Sequence, residues 1–328
     1  MDSELFLDAL LGKEHAVVGE VALVHDSEFS WIENASVDLV LTDPPFNIAR
    51  DTNFHTYEKN TVNSYRFDEG KGWDSYTPSE FRTLLDGWCV EFERVLRPGG
   101  NFAVFCADEY ISDLINALRT AGLKPRRTLT WRKPNAVPVN RKHMMMSACE
   151  YVVVGVNGSK ATFNAEVDLE KEPQLTEQEI VAISDKAATV VEGEIRKALS
   201  ALHRRPSPQD IEKVVRGVLE AKAESTAERS VNIYSAGGDK AELCIPNFVS
   251  FNSKAGVRLH PTEKPVPLLR YLSELFSKPG DILLDPFAGS ASVGEMAMLS
   301  GRRAILVERD REFYERGIDR LKKVRPEN

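Results

Sequence analysis

Asp281-Ile282-Leu283-Leu284-Asp285-Pro286-Phe287-Ala288-Gly289-Ser290-Ala291 is the stretch that decides the fold. Behind Asp281, the apolar run Ile282 to Leu284 has the composition of a strand buried on both faces. Pro286 ends it, because proline cannot donate to a ladder. Gly289 lets the backbone pass close to a ligand, and a helix over Ala291 to Leu299 would point its N-terminus at the same spot, where it favours an anion. The next strand, Ala304 to Val307, ends at Glu308. An acid about 20 positions past a glycine turn is placed to accept hydrogen bonds from ribose hydroxyls. This order of strand, turn, helix, strand and acid predicts the nucleotide-binding half of an α/β sheet.

Upstream, a helix is expected over Val266 to Phe276, and a further one, Glu312 to Lys323, follows the second strand. The other half of the sheet lies far away, at the start of the chain. Val21 to His25 and Val37 to Thr42 are apolar runs that stop at Asp26 and Asp43. Thr77-Pro78-Ser79-Glu80 opens a helix to about Leu96, with Phe81, Leu84, Leu85, Trp88, Phe92 and Val95 read as its core stripe. Strands follow over Asn101 to Cys106, Thr128 to Trp131 and Tyr151 to Val156, with a helix near Ile111 to Ala121. Between Asn47 and Tyr76 runs a long polar loop carrying scattered aromatics, a length usually tied to function.

The second decisive motif is Asp43-Pro44-Pro45-Phe46, directly after a strand. An exocyclic amino nitrogen on a nucleobase is a poor nucleophile, because its lone pair is delocalised into the ring. The Asp43 carboxylate and the Pro44 carbonyl can each accept one N–H, turning the lone pair out of the ring. Pro44 and Pro45 fix φ, so the carbonyl is aimed before a substrate arrives. Phe46 offers a face on which an extruded base can stack. Alone, the tetrapeptide reads first as a common strand-ending turn; with the cofactor-type half in the same chain, it reads as chemistry.

Together the two motifs resemble the permuted beta group of amino-DNA methyltransferases, in which the catalytic half precedes the cofactor half. The resemblance covers roughly Val21 to Tyr151 and His260 to Leu321. It implies a circularly permuted, Rossmann-like sheet that uses S-adenosylmethionine to methylate adenine N6 in double-stranded DNA. Cytosine N4 is the alternative; enzymes of that specificity more often begin the tetrapeptide with Ser. Methylation of RNA, and a nucleic-acid-binding regulatory subunit that keeps the fold, are the other readings carried forward. By resemblance, Asp285, Phe287, Ala288, Gly289, Ser290 and Glu308 hold the cofactor, and Thr262 and Lys264 of His260-Pro261-Thr262-Glu263-Lys264-Pro265 lie near its methionine carboxylate. A helix-cap role is the other reading of that segment. Asp26 matches the residue that contacts adenine, or else makes a turn. The family usually has glycine where this chain has Ala291, so its methyl group is expected to hold the cofactor off and weaken binding.

Charge and composition narrow the partners. Net charge is −8 over 328 residues, the wrong sign for a protein that coats DNA. Leu114 to Cys149, however, contains no Asp or Glu and carries Arg126, Arg127, Arg132, Lys133, Arg141 and Lys142. Such a stripe faces phosphates, or is a solvated face balanced by acids nearby in space. Cys89, Cys106, Cys149 and Cys244 are far apart and no histidine pair has ligand spacing, so neither a metal nor a disulfide framework is expected. No apolar run spans a membrane and no basic leader precedes one, so a cytoplasmic protein is expected.

Three segments are expected: 1–163 as the catalytic half, 164–246 as a helical insertion, and 247–328 as the cofactor half of the same domain. Thr176 with Glu179, and Ser207 with Pro208, are helix starts inside the insertion, and Arg204 and Arg205 sit at the turn between its helices. The insertion stands where a target-recognition region usually sits, and the family often pairs as homodimers. It is expected to help recognise DNA, with surface decoration as the alternative. A cognate restriction endonuclease is not legible.

Overall fold

The computed structural model describes residues 12–47, 74–134, 148–164, 247–251 and 263–324, and the backbone of four short strands at 54–58, 61–65, 234–235 and 243–244. The chain divides into two compact units, Met1–Val167 with Tyr234–Asn328, and Asp168–Ile233. The second unit lies outside the described residues, and with it the expected helices of the insertion and the Arg204–Arg205 turn. Asp2 to Leu11, which reads in the sequence as a short amphipathic helix, also lies outside them.

In chain order the strands are β1 (His15–Val18), β2 (Val21–His25), β3 (Val37–Thr42), β4 (Phe54–Glu58), β5 (Thr61–Tyr65), β6 (Leu96–Cys106), β7 (Lys124–Arg132) and β8 (Cys149–Val156). Then come β9 (Tyr234–Ser235), β10 (Leu243–Cys244), β11 (Phe248–Ser250), β12 (Ile282–Asp285) and β13 (Arg303–Glu308). The helices are α1 (Pro78–Val95), α2 (Ile111–Thr120), α3 (Val266–Phe276), α4 (Ser292–Leu299) and α5 (Arg311–Leu321).

Nine strands form one sheet in the order β1-β2-β13-β12-β3-β6-β8-β7-β11. Its centre, β2-β13-β12-β3-β6, is parallel throughout. β8 runs antiparallel to both β6 and β7, and β1 antiparallel to β2. The late strands β12 and β13 are therefore inserted between the early strands β2 and β3, as the permuted reading requires. β12 leads through α4 to β13 on one side, and β3 leads through α1 to β6 on the other. Such a divergence opens a crevice at the carboxyl ends of the diverging strands. Asp43 and Asp285 stand at that crevice: Leu283 pairs with Leu39 and Leu284 with Val40.

The core follows from composition. β2, β3, β12 and β13 are almost wholly buried, as parallel strands covered on both faces must be. α1 starts with both arms of a capping box: Glu80 N–H donates to Thr77 Oγ1, and Thr77 N–H donates to Glu80 Oε2 at 2.9 Å. It buries Phe81, Leu85, Cys89, Phe92 and Val95 along one face.

Two departures from expectation concern strands. The 47–76 segment is not all loop, because β4 and β5 pair antiparallel with Phe54 opposite Tyr65 and Glu58 opposite Thr61. Phe, Thr and Tyr on one arm and Thr, Val and Tyr on the other are good strand formers two residues apart, a signal that the polar surroundings masked. Within 164–246, the described residues outside the second unit include a two-residue ladder, β9 with β10, rather than helix. β1 and β11 were not expected either, being short edge strands with mixed exposure.

Candidate active site

A cavity of about 510 Å³ lies over the carboxyl ends of β2, β13, β12 and β3, a size typical of small-molecule sites. Every described residue assigned from sequence to the catalytic loop or the cofactor lines it: Asp26, Asp43 to Phe46, Lys264, Asp285, Phe287 to Ser290 and Glu308. Thr262 lies outside the described residues.

The cofactor-type loop is held from beneath. Phe287 N–H donates to Asp285 Oδ1 at 3.2 Å, and Ala288 N–H to Val307 O at 3.0 Å. Gly289 has φ of 51°, a conformation natural to glycine, and its N–H donates to Glu308 Oε2 at 2.7 Å. Glu308 Oε1 accepts from Asp310 N–H, also at 2.7 Å, so the carboxyl is pinned with its face toward the cavity. Asp285 Oδ1 accepts the Thr42 hydroxyl at 2.7 Å, which ties the two halves together. Arg320 of α5 braces the loop, donating to Ser290 Oγ at 3.2 Å and to the buried Glu263 at 2.6 Å.

Ala291 corrects one expectation. It is fully buried at φ 59°, in the left-handed region, and is not among the cavity-lining residues. A Cβ built on Gly317 of α5 would lie 3.2 Å from the Ala291 Cβ, so the methyl packs toward α5 and not toward a ligand. The cost of alanine here falls on backbone strain, on the order of 1 kcal/mol, rather than on approach. Ala291→Gly is accordingly expected to leave cofactor Kd within about twofold. A severalfold tighter Kd by calorimetry would restore the steric reading.

Asp26 shows the turn geometry: its Oδ1 accepts from Ser27 N–H at 2.7 Å and Glu28 N–H at 3.2 Å, and its Oδ2 pairs with Lys13. It still lines the cavity, so both readings of that residue meet in one place.

The catalytic-type loop is anchored by a residue that sequence reasoning passed over. Asn47 is fully buried at φ 57°, tolerable for Asn. Its N–H donates to Asp74, its Nδ2 to Tyr110 Oη at 2.9 Å, and its Oδ1 accepts from Tyr76 N–H at 2.8 Å. The signal was its position, directly after Phe46. Asp43 Oδ2 accepts from Lys264 Nζ at 2.6 Å, while Asp43 Oδ1 is buried with no hydrogen-bond partner among the described residues. A buried acceptor left open is costly unless something completes it.

Lys264 lines the cavity and reaches the catalytic-type loop as well. Its side chain is 5% exposed, and its ammonium lies between Asp43 and Glu150, 3.2 Å from Glu150 Oε2. The Phe46 and Phe105 rings flank it, with centroids 4.9 and 5.2 Å away. Glu150, of β8, carried no signal of its own in the sequence. Lys133 is likewise drawn inward, donating to Glu150 Oε1 at 3.0 Å and lying over the Trp131 ring, so it is not a free phosphate grip. Arg126, Arg127 and Arg132 are exposed on β7, three strands from β3 and outside the cavity. Arg141 and Lys142 lie outside the described residues.

Leu84 and Trp88, read from the sequence as core, line the cavity instead, and the Trp88 ring meets Phe287 edge-on at 4.7 Å. The apolar stripe of α1 is wide enough to serve the core with one edge and a ligand with the other.

Electrostatically the cavity is rich in carboxyls. Burial pushes Asp43 up to about 6, against the pull of Lys264. Burial likewise lifts Asp285 to about 7, opposed by the Thr42 hydrogen bond, and Glu308 to about 7, opposed by Asp310 and Gly289 N–H groups. Such a pocket favours a ligand bearing positive charge and donor groups. The sulfonium, ammonium and ribose hydroxyls of S-adenosylmethionine fit that demand.

Residues 37–319 match the family described as DNA methylase. The chain belongs to the DNA methylase family. It is a DNA methyltransferase, and its cofactor is the family's methyl donor, S-adenosylmethionine. The chain is 48% identical over 301 residues to the DNA adenine methyltransferase YhdJ of Escherichia coli (strain K12), covering 90% of this chain and 79% of that one. Among solved structures, the cytosine-N4-specific PvuII DNA methyltransferase aligns with a TM-score of 0.57 at 15% identity, over 95% of this methylase and 94% of that chain. The M1.HpyAVI–SAM complex aligns at 0.50 and 18% identity, over 88% and 89%. At these identities both establish the fold alone. Among the described residues, no helix is long and apolar enough to cross a membrane, and no acid, histidine and cysteine cluster could hold a metal ion.

Proposed function

We propose that this methylase transfers a methyl group to the N6 amino group of adenine, extruded from double-stranded DNA into the cavity. The observation that carries this reading is Asp43 Oδ1, a buried acceptor without a donor among the described residues, on a residue that lines the cavity. The 48% identity to an adenine methyltransferase and an Asp at the head of the tetrapeptide favour adenine over cytosine.

When bound, the cofactor supplies a methyl carbon made electrophilic by a sulfonium. Asp285 and Glu308 supply carboxylates for its cationic and hydroxyl groups, and the turn at Gly289 gives it room. Asp43 Oδ1 accepts one amino N–H of the base and the Pro44 carbonyl the other. The nitrogen lone pair is then free to form the N–C bond as the S–C pair returns to sulfur. The nitrogen becomes cationic in that step, so the hydrogen bond to Asp43 strengthens in the transition state. The surplus proton leaves the nitrogen for Asp43 Oδ1 and passes on to water. Phe46 stacks on the base, and Arg126, Arg127 and Arg132 hold phosphates at the rim of the sheet.

Modified-base sequencing of DNA from cells expressing the chain tests this reading. N6-methyladenine in one sequence context is expected, and none with Asp43→Ala. N4-methylcytosine alone would move the target to the other base, and no modification together with no labelled methyl transfer to plasmid DNA would overturn the reading.

A further inference from the structure

Four charges alternate in sign from the cavity wall inward: Asp43 and Lys264, which line the cavity, then Glu150 and Lys133 behind them. Lys264 Nζ is 2.6 Å from Asp43 Oδ2 and 3.2 Å from Glu150 Oε2, and Lys133 Nζ is 3.0 Å from Glu150 Oε1. They come from four places in the fold: the end of β3, the segment before α3, β8, and the residue after β7. Nothing in the adenine-methylation chemistry so far uses Lys264 or Glu150.

We propose that Lys264 and Glu150 are positioning residues for Asp43, acting on its orientation and on its charge. The inference rests on the reading of Asp43 as the acceptor for the target amino group. Lys264 holds Oδ2, which fixes the carboxylate and leaves Oδ1, without a partner among the described residues, as its open acceptor. A lone ammonium there would oppose the positive charge that grows on the target nitrogen. Glu150 cancels it, so the relay orients Asp43 without leaving a net cation beside the reacting atom. Lys133 in turn fixes Glu150.

The surroundings of Asp43 show why a cation is needed. Asp74, from the segment before α1, Glu150 from β8 and Asp285 from β12 are the carboxyls that face it; Cys106 of β6 is the neighbouring thiol, and Lys264 the facing cation. Burial and the neighbouring acids push the Asp43 carboxyl up, and Lys264 is what opposes them. Burial also pushes Glu150 up, but Lys264 and Lys133 outweigh it and hold Glu150 below its ordinary value. Glu150 therefore remains an anion while Asp43 titrates.

The test reads the Asp43 carboxyl directly, by carbon-13 NMR of the full chain labelled at aspartate carboxyls, with Asp43→Asn assigning the signal. The wild-type midpoint is expected near 6. Lys264→Met is expected to raise it by about one unit or more, and Glu150→Gln to lower it, since the first removes a cation and the second an anion. In single-turnover methyl transfer, the acid limb of the rate should follow the same two directions. Glu150→Gln should also slow the limiting rate at high pH by about tenfold with cofactor Kd within about threefold. Should Lys264→Met leave too little folded protein, Glu150→Gln decides alone. Midpoints unmoved in the variants would overturn the proposal. So would an Asp43-independent loss of cofactor binding in Lys264→Met with unchanged limiting rate, which would assign Lys264 to the cofactor. Midpoints that move as expected in a protein with no methyl transfer would instead sink the functional reading and leave the relay standing.

Discussion

Asp43→Asn is expected to lower the methyl-transfer rate by about 10³-fold or more, at the upper range of what one positioned acid–base group contributes. Cofactor Kd should stay within about threefold, because the carboxyl faces the amino group rather than the sulfonium. Asparagine keeps the shape of the side chain but has only one acceptor oxygen. Lys264, buried and donating at 2.6 Å, claims that oxygen. The Nδ2 group is then left at the Oδ1 position, where two donors, the amide and the substrate amino group, confront one another. Alanine removes both contacts and should be equally inactive, but it takes one of its anions from the buried Lys264 ammonium, a change that costs stability as well. Asparagine therefore separates chemistry from folding. Single-turnover transfer of labelled methyl to plasmid DNA, with calorimetric titration of the cofactor on the same preparation, measures both numbers. Near-wild-type transfer by Asp43→Asn would remove Asp43 from the chemistry.

The elements that position this site were legible where a strand or helix is bounded by its own sequence. Val21–His25, Val37–Thr42 and Val266–Phe276 stand in the structure with the boundaries their residues imply, because apolar runs there stop at Asp or begin behind Pro. The order of the two motifs along the chain likewise implied that late strands must enter the sheet between early ones, and they do. What a local reading could not supply is which side chains meet. Lys264 and Asp43 are 221 residues apart, and only the parallel pairing of β12 with β3 brings their neighbourhoods together. Glu150 stands just ahead of the strand expected at Tyr151 to Val156, and only the longer β8, Cys149–Val156, carries it into the sheet. The direction of the Ala291 methyl depends on a left-handed φ, which the residue type argues against and the turn imposes. Trp88 reads as core because helical spacing identifies a face but not what that face packs on.

Removing Glu308 should show most clearly in how cofactor binding varies with pH. Glu308→Ala is expected to weaken the cofactor by about 1–3 kcal/mol at pH 8, the scale for losing a charged hydrogen-bond acceptor, or about 5- to 150-fold in Kd. Part of that loss is indirect: Gly289 and Asp310 N–H groups lose the oxygens that hold the loop, so unfolding of the ligand-free variant must be followed alongside. The pH dependence isolates the direct part. Burial lifts both Asp285 and Glu308 to about 7, so at pH 6 each is largely protonated and a poor partner for a cation or a hydroxyl donor. A ligand that demands the ionised forms expels those protons, and affinity rises with pH from 6 to 8, by at most about tenfold per unit for each proton lost. Stability without ligand runs the other way. A carboxyl whose folded value lies above its unfolded one stabilises the fold below its unfolded value, near 4, and loses that contribution as pH climbs through about 7. The cofactor should thus protect the protein against heat more at pH 8 than at pH 6, and Glu308→Ala should flatten the pH dependence of Kd by close to one proton. Titration calorimetry in two buffers of different ionisation heat counts the protons released. An affinity that does not change between pH 6 and 8, with no proton released, would mean that neither carboxyl faces the cofactor's charge and that the cavity is occupied in another way.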